Sequence, residues 1–174
     1  LLKSGKAVDA AKVFAEGEQL SVEHPLAAAF EYGRAEALRE AKDLAGAMQH
    51  YEKVHGTWPT SEWSDDALSA LCLLAFTEND NDRFTRYVGL FQQQFAASPL
   101  APRVRQLVGR MALRQQRYDD AIEAFGMHTD DEQTLSQANH YYLGITYLAA
   151  DRPADALTTL ASITPEPGAT TLRD

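Results

Sequence analysis

The sequence predicts an all-α fold, a right-handed superhelical solenoid of stacked antiparallel helix pairs. Three observations carry that prediction. A small residue recurs four times, each followed twelve positions later by the small or aromatic anchor of a second helix. The pairs are Ala35/Ala47, Ala75/Tyr87, Gly109/Ala121 and Gly144/Ala156. An aromatic or leucine follows each anchor by four residues, at Tyr51, Phe91, Phe125 and Leu160. Successive anchors, from Ala10 through Ala47, Tyr87, Ala121 and Ala156, lie 37, 40, 34 and 35 residues apart, a period of stacked helical hairpins.

Composition agrees with a folded chain. Of 174 residues, 45% are hydrophobic, too many for a disordered segment. The longest apolar run, Ala70 to Phe76, is far too short to span a bilayer, so no membrane insertion is expected. Cys72 is the only cysteine, which excludes an internal disulfide and a cysteine-rich zinc site but does not fix the compartment. A net charge of −9 makes nucleic acid a poor partner. The chain opens Leu1-Leu2-Lys3-Ser4-Gly5, without an initiator methionine or a signal-peptide run, and reads as an excerpt of a longer or processed chain.

The elements follow in order within one domain, residues 1–174. A half-copy occupies 1–24, with Gly5 to Phe14 as its second-helix pattern. Repeats are expected at about 25–57, 64–98, 101–129 and 132–164, and 165–174 is a tail or the start of a further repeat. In the first repeat, Lys42 to Val54 holds the turn and second helix. Asn79-Asp80-Asn81-Asp82 lacks the central glycine and terminal glutamate of a calcium loop and reads as the polar turn of the second repeat. The third is the clearest: Val104, Leu107, Val108, Met111 and Ala112 recur at offsets of one helical face. Arg114 to Arg117 is too short a connection for anything but an antiparallel turn, and Tyr118 to Phe125 opens the partner helix. Burying each large side chain there stabilises by roughly 1.5–3 kcal/mol. Asp130-Asp131-Glu132 suits the N-terminus of the fourth repeat's first helix. Asp151-Arg152-Pro153 is that repeat's turn, with proline where its missing N–H costs nothing. Between repeats, Ser61 or Ser64 and Ser98 are expected N-caps.

These residues resemble the tetratricopeptide repeat family over nearly the whole chain, most closely at Gly109–Phe125 and Leu143–Leu160. Tyr87 departs from the family's small residue, and most turns lack its glycine. The linkers Trp58-Pro59-Thr60-Ser61 and Phe95-Ala96-Ala97-Ser98-Pro99 add a resemblance to tetratricopeptide proteins of the bacterial cell envelope, which implies the periplasm or envelope rather than the cytoplasm.

No active site is legible. His24, His50, His55, His128 and His140 contain no i, i+4 metal pair, no phosphate loop is present, and neither metal nor cofactor is expected. The resemblance implies a protein-binding scaffold or adaptor whose first helices line a groove. By register, that groove takes Arg103, Gln106, Arg110 and Arg114 from the third repeat and Tyr141, Ile145 and Leu148 from the fourth. Secondary candidates are Tyr32, Glu36, Arg39 and Glu40 in the first repeat and Cys72, Phe76 and Asn79 in the second. Arg103, Arg110 and Arg114 lie seven and four apart on one helical face, a basic stripe suited to an acidic peptide or protein. Tyr32 and Glu36 stand where a chaperone-binding clamp would need Lys and Asn, so that subtype is rejected. Two other expectations remain open: self-assembly through apolar ends, and a regulatory segment of a larger protein whose activity lies elsewhere.

Overall fold

The computed structural model describes residues 22–24, 26–126 and 137–163. Among them run eight helices: α1 (Ala27–Glu40), α2 (Leu44–Thr57), α3 (Ser64–Thr77), α4 (Asn81–Gln94), α5 (Ala101–Arg114), α6 (Tyr118–Gly126), α7 (Gln137–Ala149) and α8 (Pro153–Ala161). The expected half-copy up to residue 21, the acidic stretch at 130–132 and the tail from 165 lie outside the described residues. The chain divides into two compact units, Leu1–Val104 and Arg105–Asp174, so α5 gives its first turn to one and the rest to the other.

Each pair of helices is joined by the same turn. Lys42, Asn79, Gln116 and Asp151 have φ of 68°, 58°, 60° and 57°, the left-handed region. They are the residues just past the ends of α1, α3, α5 and α7, spaced 37, 37 and 35 apart. In every case the N–H of the next residue reaches back five positions. Asp43 donates to the Leu38 carbonyl at 3.0 Å, Asp80 to Ala75 at 3.0 Å, Arg117 to Ala112 at 2.9 Å and Arg152 to Tyr147 at 2.8 Å. This closure satisfies carbonyls that a helix end leaves without partners.

The same residue then starts the next helix, in two chemical versions. Asp43 and Asp80 accept from the N–H of Gly46 (2.9 Å) and Arg83 (3.0 Å), ordinary N-caps. Arg117 and Arg152 cannot accept, and instead their guanidinium groups pair with Asp120 and, at 2.8 Å, Asp155 in the following turn. Acid and base have exchanged places across the same geometry, and both versions put a carboxylate at the positive end of a helix dipole.

The first unit packs α1 on α2, α2 on α3 and α3 on α4. Its first-repeat anchors Ala35, Ala47 and Tyr51 are inaccessible. Counted from the turns, the second repeat's equivalents are the buried Cys72, Phe84 and Val88, and the expected Ala75, Tyr87 and Phe91 are buried three residues out of register. The linkers after α2 and α4 repeat each other bond for bond. Trp58 and Phe95 cap the helices, Ser61 N–H and Ser98 N–H each donate at 3.0 Å to those residues, and Ser64 and Ala101 donate onward to Ser61 and Ser98. That shared turn is the physical reason the two linkers look alike. At α3 the expected serine N-cap does not form, since the residue before it is Trp63 with no side-chain cap; ahead of α5, Ser98 Oγ accepts from the Leu100 N–H at 3.1 Å. Ser64 instead lies inside α3, its hydroxyl 2.9 Å from His55, and Ser98 Oγ donates to Asp65 at 2.7 Å.

In the second unit α6 packs on α7 and α7 on α8. Its core gathers Ala112, Ala121, Phe125 and Leu143, flanked by Leu113, Ile122, Tyr142 and Tyr147. Phe125 and Tyr142 stack with ring centres 5.4 Å apart. Close approach depends on two glycines. A Cβ at Gly109 would lie 2.6 Å from the Phe125 ring, and one at Gly144 would lie 2.4 Å from Leu160. In two successive repeats the small residue of the first helix thus meets the large residue four beyond the anchor in the same way.

Two glycine substitutions should therefore move stability in opposite directions. Gly109→Ala should destabilise by about 1–3 kcal/mol, because overpacking against Phe125 outweighs the helix-propensity gain. Gly89→Ala, with nothing within 4 Å of the new methyl, should stabilise by up to about 1 kcal/mol. Lys42→Gly and Gln116→Gly should each gain about 1 kcal/mol by relieving left-handed backbone, more than the same change at Asn79. Urea unfolding midpoints measure all of these.

Candidate binding cleft

In the first unit, the first helices of successive hairpins meet around a cleft of about 170 Å³. From α1 come Tyr32, Glu36 and Arg39, at the i, i+4, i+7 spacing of one helical face. Asp66, Ser69, Ala70 and Leu73 come from α3, and Arg103 from the first turn of α5. The Tyr32 ring sits between Trp63 and Tyr51, with ring centres 5.1 and 5.6 Å away.

One wall is electrostatically closed. Arg39 grips Glu36 with two donors, Nε to Oε1 at 3.3 Å and Nη2 to Oε2 at 2.8 Å, and its Nη2 also lies 2.9 Å from Glu40. The Tyr51 hydroxyl donates to Glu36 Oε1. Burial opposes ionisation of Glu36, but these bonds from Arg39 and Tyr51 outweigh it and hold the carboxyl below the usual 4.5. The Tyr51 hydroxyl is pushed far above its ordinary range by burial and by Glu36.

The other wall is open. Burial raises the Asp66 carboxyl, and the negative neighbours Asp65 and Glu36 raise it further, against the pull of Arg103. Asp66 has no ion pair among the described residues, nor does Arg103. Ser69 is 3% exposed, yet its hydroxyl has no hydrogen-bond partner. Deeper between α1 and α2, buried Glu31 accepts from His50 (2.5 Å) and Lys53 (2.9 Å). Burial works against its ionisation too, and those two partners still hold its carboxyl low.

The second unit carries the rest of the expected groove. Gln106 Nε2 donates to Asn139 Oδ1 at 3.0 Å, and the Arg110 guanidinium lies 5.3 Å from the centre of the Tyr142 ring. Arg114 is exposed, Tyr141 and Leu148 are 52% and 54% exposed, and Ile145 is half-buried.

The expected members on α3 need correction. Phe76 is 5% exposed, its ring 6.2 Å from that of Phe84, and Cys72 is inaccessible, so neither offers a surface. The reason is register. Counting 37 residues between turns carries Tyr32 to Ser69 and Glu36 to Leu73, then on to Gln106 and Arg110. A further 35 reaches Tyr141 and Ile145. Asp66, Ser69 and Leu73 were missed because the anchor pattern, with Tyr87 displaced in it, was used as the ruler. The polar turn Asn79-Asp80 was the signal that would have found them. Asn79 itself forms that turn rather than the cleft.

A tetratricopeptide repeat model matches residues 1–62 and 81–129. The chain belongs to the tetratricopeptide repeat family. The gap in the match contains α3, the helix whose groove residues the repeat pattern misplaces, although its turn geometry is that of the other tetratricopeptide hairpins. No curated protein sequence matches. Among solved structures, BtubC from P. vanneervenii superposes with a TM-score of 0.74 at 16% identity, covering 99% of this chain and 82% of its own. A point mutant of MamA gives 0.67 at 15% identity, over 92% of this chain and 82% of its own. MamA AMB-1 gives 0.65 at 16% identity, over 92% and 84%. At these identities the likeness is one of fold. Tetratricopeptide domains are in general protein-interaction scaffolds. Among the described residues no group of three or more His, Cys, Asp or Glu side chains could hold a metal ion, and no helix is long and apolar enough to cross a membrane.

Two outcomes follow from these environments. Glu31 and Glu36 have folded pKa values below their unfolded ones, so their contribution is full above about pH 4.5 and is lost as pH falls through the lowered values. Urea midpoints from pH 7 to 3 should fall in that window, and Glu36→Gln should flatten the fall. Burial pushes the Cys72 thiol up to about 12, so a thiol reagent at pH 8 should label it only as fast as the protein opens. Rapid labelling of the native protein would contradict the placement.

Proposed function

We propose that this chain is an adaptor that binds a polypeptide partner along the first helices of its hairpins. The observation that carries this reading is the cleft of the first unit, where α3 presents Asp66 and the partnerless Ser69 hydroxyl, and α5 presents Arg103, opposite the closed Glu36–Arg39 wall of α1. The second unit adds Arg110 and Arg114 on α5 and the accessible Tyr141, Ile145 and Leu148 on α7. Guanidinium groups beside an apolar shelf favour an acidic peptide, since each can hold a carboxylate through two bonds while the shelf buries apolar side chains. The direct test is capture of partners from a native lysate by the wild-type chain and by Arg110→Glu/Arg114→Glu, each shown to be folded by circular dichroism. A protein retained by the wild type and reduced at least about tenfold by the double variant is the expected result. Equal capture by both would remove the arginines from the interface.

A second reading rests on the last helices. Leu157 of α8 is 74% exposed, and Leu148 and Tyr141 of α7 are also accessible, apolar area suited to self-association. Light scattering separates it from partner binding: a mass rising with concentration, and lowered by Leu157→Asp, supports it, and a constant monomer mass excludes it.

A further inference from the structure

The cleft of the first unit gathers three polar side chains that make no side-chain hydrogen bond or ion pair among the described residues, one acceptor, one donor and one group that is both. Asp66 supplies a carboxylate, Arg103 a guanidinium and Ser69 a deeply buried hydroxyl, on a residue only 3% exposed. A buried hydroxyl without a partner is unfavourable, and such groups are rare unless something outside the fold completes them.

Charge balance narrows what that something is. The lining holds two acids, Glu36 and Asp66, and two bases, Arg39 and Arg103. Glu36 and Arg39 satisfy each other. An entering carboxylate would meet the negative charges of Asp66 and Glu36, and an entering ammonium the positive charges of Arg103 and Arg39. A neutral group that donates at one end and accepts at the other meets neither repulsion. An amide does this: its N–H complements Asp66, its carbonyl complements Arg103, and the Ser69 hydroxyl serves either end. The Tyr32 ring, Ala70 and Leu73 provide apolar contact for the atoms that carry it. A volume of about 170 Å³ admits a single side chain or one peptide unit, below the roughly 300–1,000 Å³ of drug-sized sites.

We propose that this cleft recognises an amide group on a polypeptide partner, with Asp66 accepting its N–H and Arg103 and Ser69 donating to its carbonyl. The inference rests on the polypeptide-binding reading and names the chemistry that reading leaves open. The amide has two sources, the side-chain carboxamide of Asn or Gln and the peptide backbone.

The test titrates the isotopically labelled 174-residue chain with the peptides Ac-Ala-Ala-Xaa-Ala-Ala-NHMe, where Xaa is Gln, Asn, Glu, Lys or Ala, and follows the backbone resonances of Asp66, Ser69 and Leu73. Tightest binding by the Gln or Asn peptide assigns the side-chain carboxamide. Equal binding by all five peptides, or by those two and the Ala peptide ahead of Glu and Lys, assigns the backbone that all five share. Preference for the Glu or Lys peptide, or no shift of these resonances by any peptide, overturns the proposal. Ser69→Ala separates recognition from folding, because its hydroxyl bonds to nothing in the fold. It should weaken the best peptide about fivefold, the loss of one neutral hydrogen bond, and leave the melting temperature unchanged or raised. Unchanged affinity in this variant also counts against the proposal. If lysate capture is lost with Arg110→Glu/Arg114→Glu but no peptide binds the cleft, the amide inference fails and the adaptor reading stands.

Discussion

A helix reverses direction within three residues only by leaving through left-handed backbone, and the architecture follows from that constraint. Lys42, Asn79, Gln116 and Asp151 each take this conformation, and in each case the next residue closes one helix and opens the other. Two helices joined so tightly must lie antiparallel and almost in contact. Their facing positions therefore accept only small residues, as at Ala35 and Ala47, or a glycine against a large side chain, as at Gly109 and Phe125. The small-residue pattern is a consequence of the turn. Glycine would form this turn with least strain, and the chain uses it at none of the four positions. Hydrogen bonding and core packing offset that strain.

This ordering explains what the sequence disclosed. Anchors such as Ala47, Tyr51, Ala121 and Phe125 are legible because burial at a fixed spacing leaves a periodic trace. Tyr87 reads as the anchor of its repeat but lies three residues out of register: counted from the turns, Phe84, 5% exposed, takes the place of Ala47 and Ala121, and Tyr87 is buried beside it with its hydroxyl bonded to Glu52 at 2.5 Å. The turns were less legible, since lysine, asparagine, glutamine and aspartate share no side-chain chemistry, only a backbone state. The cleft suffered most. Ser69 and Leu73 carry no marker of their own, and their role depends on a register that the turns define and the anchors blur. The serine cap at α3 failed for a related reason: Ser61 lies in a linker closed by backbone bonds to Trp58, as Ser98 does after Phe95, and Ser64 is already inside the helix.

Charge is distributed by function rather than by average. The chain carries −9 overall, yet the lining of the cleft sums to zero. One acid–base pair there is consumed internally by Arg39 and Glu36, with Tyr51 fastening the pair to the core, and the other is left open at Asp66 and Arg103. A self-satisfied wall thus stands opposite one whose polar groups make no bond within the fold.

The contact between Tyr32 and Trp63 has a consequence of another kind. Trp63 is one of two indoles in the molecule, and its ring lies 5.1 Å from an aromatic residue that lines the cleft. The other, Trp58, sits in the linker with its N–H bonded to the Val22 carbonyl at 2.8 Å. The cleft thus has a built-in optical probe: whatever enters beside Tyr32 alters the polarity and quenching around Trp63, and the intrinsic emission of the unlabelled protein registers it.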